Sequence, residues 1–333
     1  MSEPLLEVHG LTTSFGAEGR SFRAVDDVSF TVARGERLGI VGESGSGKTV
    51  TALSILGLVD PPGRIESGDI VFAGRNLVGL PEREYRRVRG GEIAMIHQDP
   101  LSALNPVRRV GDQLVEAIRA HGAMTREAAR ERALELLEIA RLPEPARRID
   151  SYPHELSGGM RQRVMIAMAL AADPALLIAD EPTTALDVTI QAQVMDLLAG
   201  LAEERSTAVI LITHDLALIA GFADRVAVMY AGRIVELALR DTLFASPSHP
   251  YTRGLLESVS RLDRPRSRRL PTIQGQPPRL EHLPAGCAFH PRCGLQRGRA
   301  VCDEVRPELE ERRPGDDQLV ACHFAGEPEG AVS

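Results

Sequence analysis

The sequence contains no tryptophan, and aromatic residues make up only 4% of its 333 residues. It also lacks any run of about 20 apolar residues, the length that a membrane-spanning helix requires. The first residues, MSEPLLEVHG, have neither the basic start nor the apolar run of a secretory signal peptide. We therefore expect a cytosolic chain that reaches a membrane only through a partner.

An excess of positive charge is missing too. Lys and Arg total 39 residues against 46 Asp and Glu, the net charge is −7, and no long basic run occurs. A nucleic acid as the main partner requires a basic surface, so this balance disfavours it. Hydrophobic residues, at 43%, are enough to fill the core of one large domain with an appendage, or of two domains.

Short apolar runs predict the strands, which we expect at 37–41, 69–73, 92–96, 176–180 and 208–213. The last two are continuously apolar, as is typical of parallel strands buried on both faces. A helical pattern over 110–142 predicts a helical lobe, and two strand-like runs around Ala231-Gly232 predict a hairpin.

The stretch GESGSGKT fits the pattern G-x-x-x-x-G-K-[ST] in full. Its glycines let backbone N–H groups turn toward phosphate oxygens, and the helix that follows presents an N-terminus that favours anions. Lys48 supplies a charge for the β- and γ-phosphates, and Thr49 supplies a hydroxyl for Mg²⁺. We expect this helix to end near Pro61-Pro62. The predicted nucleotide ligands are Gly42, Glu43, Ser44, Gly45, Ser46, Gly47, Lys48 and Thr49.

Two acids and a histidine follow the predicted strands. Asp180 ends the 176–180 strand and is a candidate for the Mg²⁺ shell, while Glu181 is placed to polarise the attacking water. His214 follows the next strand, at the edge where open α/β sheets bind ligands, and can contact the γ-phosphate. The alternatives are that Asp180 and Glu181 only cap a helix, and that His214 is an ordinary surface or core histidine.

A second glycine-led helix start, LSGGM, lies at 156–160. Ser157 can cap this helix, and Gly158 and Gly159 allow a phosphate to approach closely. A plain capped helix would give the same pattern, so the LSGGM motif alone is weak evidence for a phosphate contact.

Taken in order, GESGSGKT, Gln98 in MIHQDP, LSGGM, LLIADEP, ALD at 185–187 and ITHD resemble the ATP-binding cassette ATPases over about residues 5–262. The resemblance implies an α/β fold: a P-loop core with a mostly parallel sheet, an antiparallel β subdomain, and a helical signature subdomain at about 104–170. In that family two cassettes pack head to tail around two ATP molecules. Ser157, Gly158 and Gly159 would therefore bind the γ-phosphate held by a second subunit.

The same resemblance assigns further roles. Gln98 would contact Mg²⁺ or water and sense the transmembrane partner, Asp187 would lie at the dimer seam, and Phe15 would stack on adenine, with core packing as the alternative. The implied catalytic residues are Glu181, His214 and Lys48, and the implied Mg²⁺ ligands are Thr49, Gln98 and Asp180.

Met160, the last residue of LSGGM, stands where the general family has Gln. In this respect the motif resembles the form found in the dipeptide and oligopeptide importer branch of the family. QDPLSALNP (98–106) and SHPYTRGLLESV (248–259) also resemble that branch, although His97 stands where Phe is more frequent. The resemblance implies a translocase ATPase on the cytoplasmic face of the inner membrane, the energy-coupling subunit of an importer for dipeptides or oligopeptides. Its partners would be a sister ATPase, favoured over a homodimer, two permeases and, indirectly, a binding protein. Nickel or another small solute remains an alternative cargo.

All four cysteines follow a Pro- and Arg-rich stretch that begins after about Asp263 and predicts a linker. We therefore divide the chain into a nucleotide-binding domain, 1–262, and a C-terminal extension, 263–333. The cysteines are Cys287, Cys293, Cys302 and Cys322. A reducing cytosol disfavours disulfides, and the lack of a C-x2-4-C pair disfavours zinc. Iron–sulfur ligation needs four thiolates and tolerates looser spacing, so we expect a [4Fe–4S] cluster, with free thiols as the alternative. The tail also resembles the C-terminal extension of peptide-importer ATPases, which implies the same cluster.

Two other function classes compete. A soluble ATP-dependent switch acting on nucleic acid or ribosomes uses the same cassette, but it would normally show a coiled-coil insertion, two cassettes in one chain or a basic surface. A P-loop kinase or GTPase has no use for LSGGM and ITHD, so it ranks third.

Overall fold

The structure is a computed structural model, and it describes residues 3–16, 21–99, 103–184, 186–258, 273–295, 299–312 and 317–327. Its strands are β1 Leu6–Phe15, β2 Phe22–Val32, β3 Arg37–Val41, β4 Arg64–Phe72, β5 Arg75–Asn76, β6 Ile93–Ile96, β7 Leu176–Asp180, β8 Ala208–Thr213, β9 Arg225–Tyr230, β10 Arg233–Leu239, β11 Glu310–Glu311 and β12 Leu319–Val320.

The α-helices are α1 Lys48–Ile55, α2 Glu82–Val88, α3 Val110–His121, α4 Arg126–Ile139, α5 Pro145–Arg148, α6 Gly158–Ala169, α7 Val188–Arg205, α8 Leu216–Phe222, α9 Arg240–Ala245, α10 Pro250–Ser258 and α11 Ala300–Glu304. Short 3-10 helices span Pro153–Glu155, Leu280–His282 and His290–Arg292. Among the helices of the described residues, none combines the length and apolar character needed to cross a membrane.

Contacts divide the chain into two compact units, each assembled from separate segments. The first comprises the described residues within 1–5, 32–37 and 79–212, and the second those within 6–31, 38–78 and 213–333. The predicted boundary near residue 263 lies in a stretch, 259–272, outside the described residues, so the division at that point stays a prediction.

The first unit contains three parallel strands in the order β6-β7-β8. Every residue of β7 and β8 is buried, which explains why these two segments are continuously apolar and confirms the prediction for them. Helices α3, α4 and α6 pack on one another in the same unit. The helical pattern over 110–142 thus corresponds to two helices, and the second begins where the Thr125 side chain accepts a hydrogen bond from the Ala128 N–H.

The second unit contains two sets of strands. One is a four-stranded sheet in the order β2-β1-β4-β5, in which β1 and β4 are antiparallel. In the other, β3 is parallel to β9, and β9 and β10 form the predicted hairpin. Its two turn residues, Ala231 and Gly232, have φ of 48° and 84°, as a tight two-residue hairpin turn requires. Strands β12 and β11 continue beyond β10, so the end of the chain adds to this sheet.

The helix after the phosphate-loop motif ends earlier than predicted. It stops at Ile55, well before Pro61-Pro62. Gly57 adopts φ 58°, and the N–H groups of Gly57 and Leu58 donate to the carbonyls of Ser54 and Leu53, at 3.1 and 2.8 Å. A left-handed glycine thus closes the helix in a Schellman motif, which makes the prolines unnecessary as a stop signal.

A buried carboxylate joins the last segment of the chain to β10. Glu236 is 0% exposed, and it accepts hydrogen bonds from the N–H groups of Ser248 and His249, at 2.8 and 3.0 Å, and from Nε2 of Gln318, at 2.6 Å. Burial raises the pKa of Glu236 because desolvation penalises its charge. The two backbone N–H groups have Glu236 as their acceptor, whereas Nε2 of Gln318 also donates to the carbonyl of Ser246 at 3.1 Å.

We expect Glu236→Ala to lower the melting temperature of the protein by roughly 5 °C or more. The variant leaves buried donors without this acceptor, and each unsatisfied donor costs about 1–3 kcal/mol of stability. Thermal unfolding followed by circular dichroism measures this. Glu310→Ala, at an exposed position of β11, is the matched control and should melt within about 1 °C of the parent. Equal melting temperatures for the two variants would contradict this role of Glu236.

Candidate functional site

The predicted phosphate loop follows β3 and opens directly into α1. Gly47, its last glycine, has φ 102°, and a Cβ there would lie 2.5 Å from the carbonyl oxygen of Ala24. The carbonyl of Ser46 accepts a hydrogen bond from the N–H of Gly232, at 3.0 Å. Glycine is therefore required at 47 by both backbone conformation and space, and the hairpin turn holds the loop from one side.

Lys48 is enclosed by this loop. Its side-chain ammonium donates to the carbonyls of Gly42 and Glu43, at 2.8 and 3.0 Å, and the residue is only 6% exposed. Ser44, Gly45 and Thr49 are exposed on the loop and at the first turn of α1. A lysine within a curled backbone at a helix N-terminus is an arrangement suited to an anion such as a phosphate chain.

A cavity opens beside the loop in the second unit. Its lining residues are Phe22, Glu43, Ser44, Gly45, Ser46, Tyr230, Ala231, Pro277, Pro278, Arg279, Leu280 and Glu281. Phe15, the predicted adenine-stacking residue, is half-buried with its ring 6.1 Å from that of Phe22. The sequence pattern did not single out Phe22, which lines the cavity itself and is a second aromatic candidate. The role of Phe15 stays a prediction.

The structure brings Gln98 and Glu181 together in the first unit. Glu181 follows β7 with φ 46°, an uncommon conformation for a residue with a side chain, and its N–H donates to the carbonyl of Ile212 at 2.8 Å. Its carboxylate accepts hydrogen bonds from Nε2 of Gln98, at 3.2 Å, and from the hydroxyl of Thr184, at 2.9 Å. Asp180, at the end of the strand, is 3% exposed.

The signature helix α6 begins at an exposed serine. The Ser157 hydroxyl accepts a hydrogen bond from the N–H of Met160 at 3.4 Å, as predicted for a cap. Gly158 is exposed beside it, whereas Gly159 is buried, and a Cβ at 159 would lie 2.7 Å from a methyl carbon of Ile190. Close packing against α7 therefore gives Gly159 a structural reason to be glycine, in addition to the predicted phosphate contact.

The two remaining predicted site residues lie at the starts of other helices. Asp187 is exposed and caps α7, where its carboxylate accepts a hydrogen bond from the Ile190 N–H at 3.0 Å. Ala185, part of the same motif, lies outside the described residues. His214 is exposed after β8, and the next residue, Asp215, caps α8.

All four cysteines line one small cavity in the second unit. Burial raises the pKa of the Cys287 and Cys302 thiols, and it raises that of Cys322 to about 12. Within the described part of the chain, no group of three or more His, Cys, Asp or Glu side chains is arranged to hold a metal ion. The structure thus gathers the four cysteines around one cavity, and metal binding there stays a prediction.

Comparison with known families gives two matches, the ABC transporter family at residues 25–184 and "Oligopeptide/dipeptide transporter, C-terminal region" at residues 235–302. One relative, "Probable peptide ABC transporter ATP-binding protein" of Sinorhizobium fredii, is 54% identical over 97% of this chain and 96% of its own length. OppD of Salmonella typhimurium, an oligopeptide transport ATP-binding protein, is 50% identical over 96% and 93%. DppD of Haemophilus influenzae, a dipeptide transport ATP-binding protein, is 50% identical over 92% of each.

Solved structures agree with these matches. The ATP-binding cassette MJ0796, solved as a dimer in a post-hydrolysis state bound to ADP and phosphate, is 31% identical with a TM-score of 0.63, over 71% of this chain and 98% of that one. With relatives at least half identical along most of their length, this chain belongs to the ABC transporter ATP-binding protein family, in the branch with the oligopeptide/dipeptide transporter C-terminal region.

Proposed function

We propose that this chain is the ATP-hydrolysing, energy-coupling subunit of an ABC importer for dipeptides or oligopeptides. The observation that carries the proposal is the complete phosphate loop around Lys48, in a chain that also matches the peptide-transporter C-terminal region. ATP binding would close a head-to-tail dimer of cassettes, and hydrolysis would reset it.

Each site residue has a role that suits its chemistry. The loop N–H groups and Lys48 bind the phosphates, and the exposed His214 contacts the γ-phosphate. Glu181 orients the attacking water, since Gln98 and Thr184 hold its carboxylate in place. Phe15 or Phe22 supplies a ring face for the adenine.

The donor set also suits Mg²⁺. The hydroxyl of Thr49, the amide oxygen of Gln98 and the carboxylate of Asp180 are hard oxygen ligands of the kind that this ion prefers. Bound Mg²⁺ would neutralise charge on the phosphates, and catalysis would otherwise consist of positioning and electrostatic stabilisation by protein groups.

A second chain completes the site. Ser157 and Gly158 lie exposed at the tip of α6, which is the arrangement that a docking phosphate requires. The second cassette is a sister ATPase in preference to another copy, with Asp187 at the seam. Two permeases bind the pair at the cytoplasmic face of the inner membrane, and a binding protein outside the membrane delivers the peptide.

The extension, 263–333, is proposed to carry a [4Fe–4S] cluster on Cys287, Cys293, Cys302 and Cys322. The convergence of the four thiols on one cavity supports this proposal. A cluster of four irons takes thiolates that stand farther apart than those around a single ion, and the raised thiol pKa values would fall on ligation. Its role would be structural or regulatory, because ATP hydrolysis requires no redox step.

The competing functions have less support. An ATP-dependent switch on nucleic acid would need a basic surface, and the chain is acidic, with a net charge of −7. Nickel or another small solute is an alternative cargo, because cargo is selected by the permeases and the binding protein.

Glu181→Gln should lower the steady-state rate of ATP hydrolysis by about 100-fold or more, because it removes the group that orients the attacking water. The variant should still bind ATP and should accumulate as a closed dimer. Phosphate release and gel filtration with ATP, in the presence of the partner cassette, measure the two effects. Glu138→Gln, at an exposed position of α4, is the matched control and should behave as the parent. A Glu181→Gln variant that turns over ATP at the parental rate would remove Glu181 from catalysis.

Protein purified without oxygen should contain iron and absorb at about 400 nm, and the fourfold Cys→Ser variant should lose both signals. Iron analysis and absorption spectra provide the measurement, with far-UV circular dichroism as a check that the variant is folded. An iron-free, colourless parent would refute the cluster and leave the cysteines as free thiols.

A further inference from the structure

We propose that Arg292, in the cysteine-bearing extension, is a positioning residue for the phosphate loop. It fixes Glu43, the second residue of the loop, so that the affinity for nucleotide depends on the extension. This inference rests on the proposed function, because it takes the loop around Lys48 to be the ATP site.

The contact between Arg292 and Glu43 is a two-point ion pair. The Nη1 and Nη2 atoms of Arg292 donate to the two carboxylate oxygens of Glu43 at 2.6 and 3.0 Å. The Arg292 side chain is only 4% exposed, and that of Glu43 is 29% exposed. The paired carboxylate raises the pKa of Arg292 further, so the guanidinium is always charged. Such bidentate pairs are among the strongest and most directional side-chain contacts.

Arg292 is itself held rigidly. Its Nε donates to the carbonyl of Gln274 at 3.0 Å, and Nη1 lies 3.4 Å from the Tyr230 hydroxyl. The guanidinium carbon is 5.8 Å from the centre of the Tyr230 ring and 5.9 Å from that of Phe289. Because these contacts fix the guanidinium plane, the extension helps to set the direction in which Arg292 donates to Glu43.

Glu43 passes this constraint to the loop. Its N–H donates to the hydroxyl oxygen of Tyr251 at 2.8 Å, and its carbonyl accepts a hydrogen bond from Lys48 at 3.0 Å. The backbone N–H, the backbone carbonyl and the carboxylate of Glu43 therefore all form hydrogen bonds. A displaced Glu43 would move an acceptor of the lysine that binds phosphate.

The anchor also lies within the cysteine segment. Arg292 ends the 3-10 helix His290–Arg292, between Cys287 and Cys293, and the Cys293 N–H donates to the His290 carbonyl at 3.1 Å. Both cysteines line the small cavity that all four thiols share. The extension is thus in direct side-chain contact with the phosphate loop through the segment that carries two of its four thiols.

The test compares three variants of the full chain by calorimetric titration with ATP and, in the presence of the partner cassette, by steady-state hydrolysis. Arg292→Met should raise the Kd and the KM for ATP about tenfold with a much smaller change in kcat, and Arg292→Lys should recover part of this loss. Arg299→Met is the matched control, because Arg299 also lies in the extension but pairs with Glu327 and the ring of Phe324. It should keep the parental Kd.

A coupling measurement guards against a folding defect. Glu43→Gln should weaken ATP binding as much as Arg292→Met, and the double variant no more than either single one, because both remove the same contact. If Arg292→Met and Glu43→Gln lower the melting temperature but bind ATP with the same Kd as the parent, the Arg292–Glu43 ion pair is only structural and the proposal is wrong. A parent that binds ATP no better than Lys48→Ala would instead overturn the proposed function, and this inference with it.

Discussion

The nucleotide site depends on one constraint, which is the fixed backbone of the loop between β3 and α1. Gly47 has no space for a side chain beside the Ala24 carbonyl, and the hairpin turn at Gly232 binds the loop at Ser46. Lys48 then has two loop carbonyls as its acceptors. A phosphate chain that enters such a loop meets N–H groups and a charge that need little reorganisation, and this preorganisation favours tight binding and catalysis.

Under the proposed function, the loop supplies only half of what hydrolysis requires. The same chain presents a second exposed helix start, the tip of α6 at Ser157, and the Glu181 carboxylate accepts hydrogen bonds from Gln98 and Thr184. Under the proposed function, the α6 tip serves the nucleotide of another cassette. ATP is then the substrate and also part of the interface between the two cassettes, because its γ-phosphate contacts surfaces that lie on different chains. Closure of that interface would give the permeases their mechanical signal.

Much of the fold and of the site follows from local sequence. The buried strands β7 and β8, the hairpin and the phosphate loop were predictable because apolar runs and turn residues act over a few positions. Helix α1 ended early because Gly57 provides a left-handed cap, a local signal that the prolines obscured. The Arg292–Glu43 pair joins residues 249 positions apart, and no periodicity marks such a contact. The same holds for Gln318 on Glu236, and for Gly159, whose buried contact is with Ile190.

The most direct test of the shared nucleotide site measures the ATPase rate per chain against protein concentration, alone and with its partner cassette, for the parent and for Ser157→Arg. We expect negligible hydrolysis in the dilute monomer, a rise when cassettes pair, and loss of that rise when the partner's pocket meets an altered α6 tip. Full activity in a dilute monomer, unaffected by the change at Ser157, would contradict a site built from two chains.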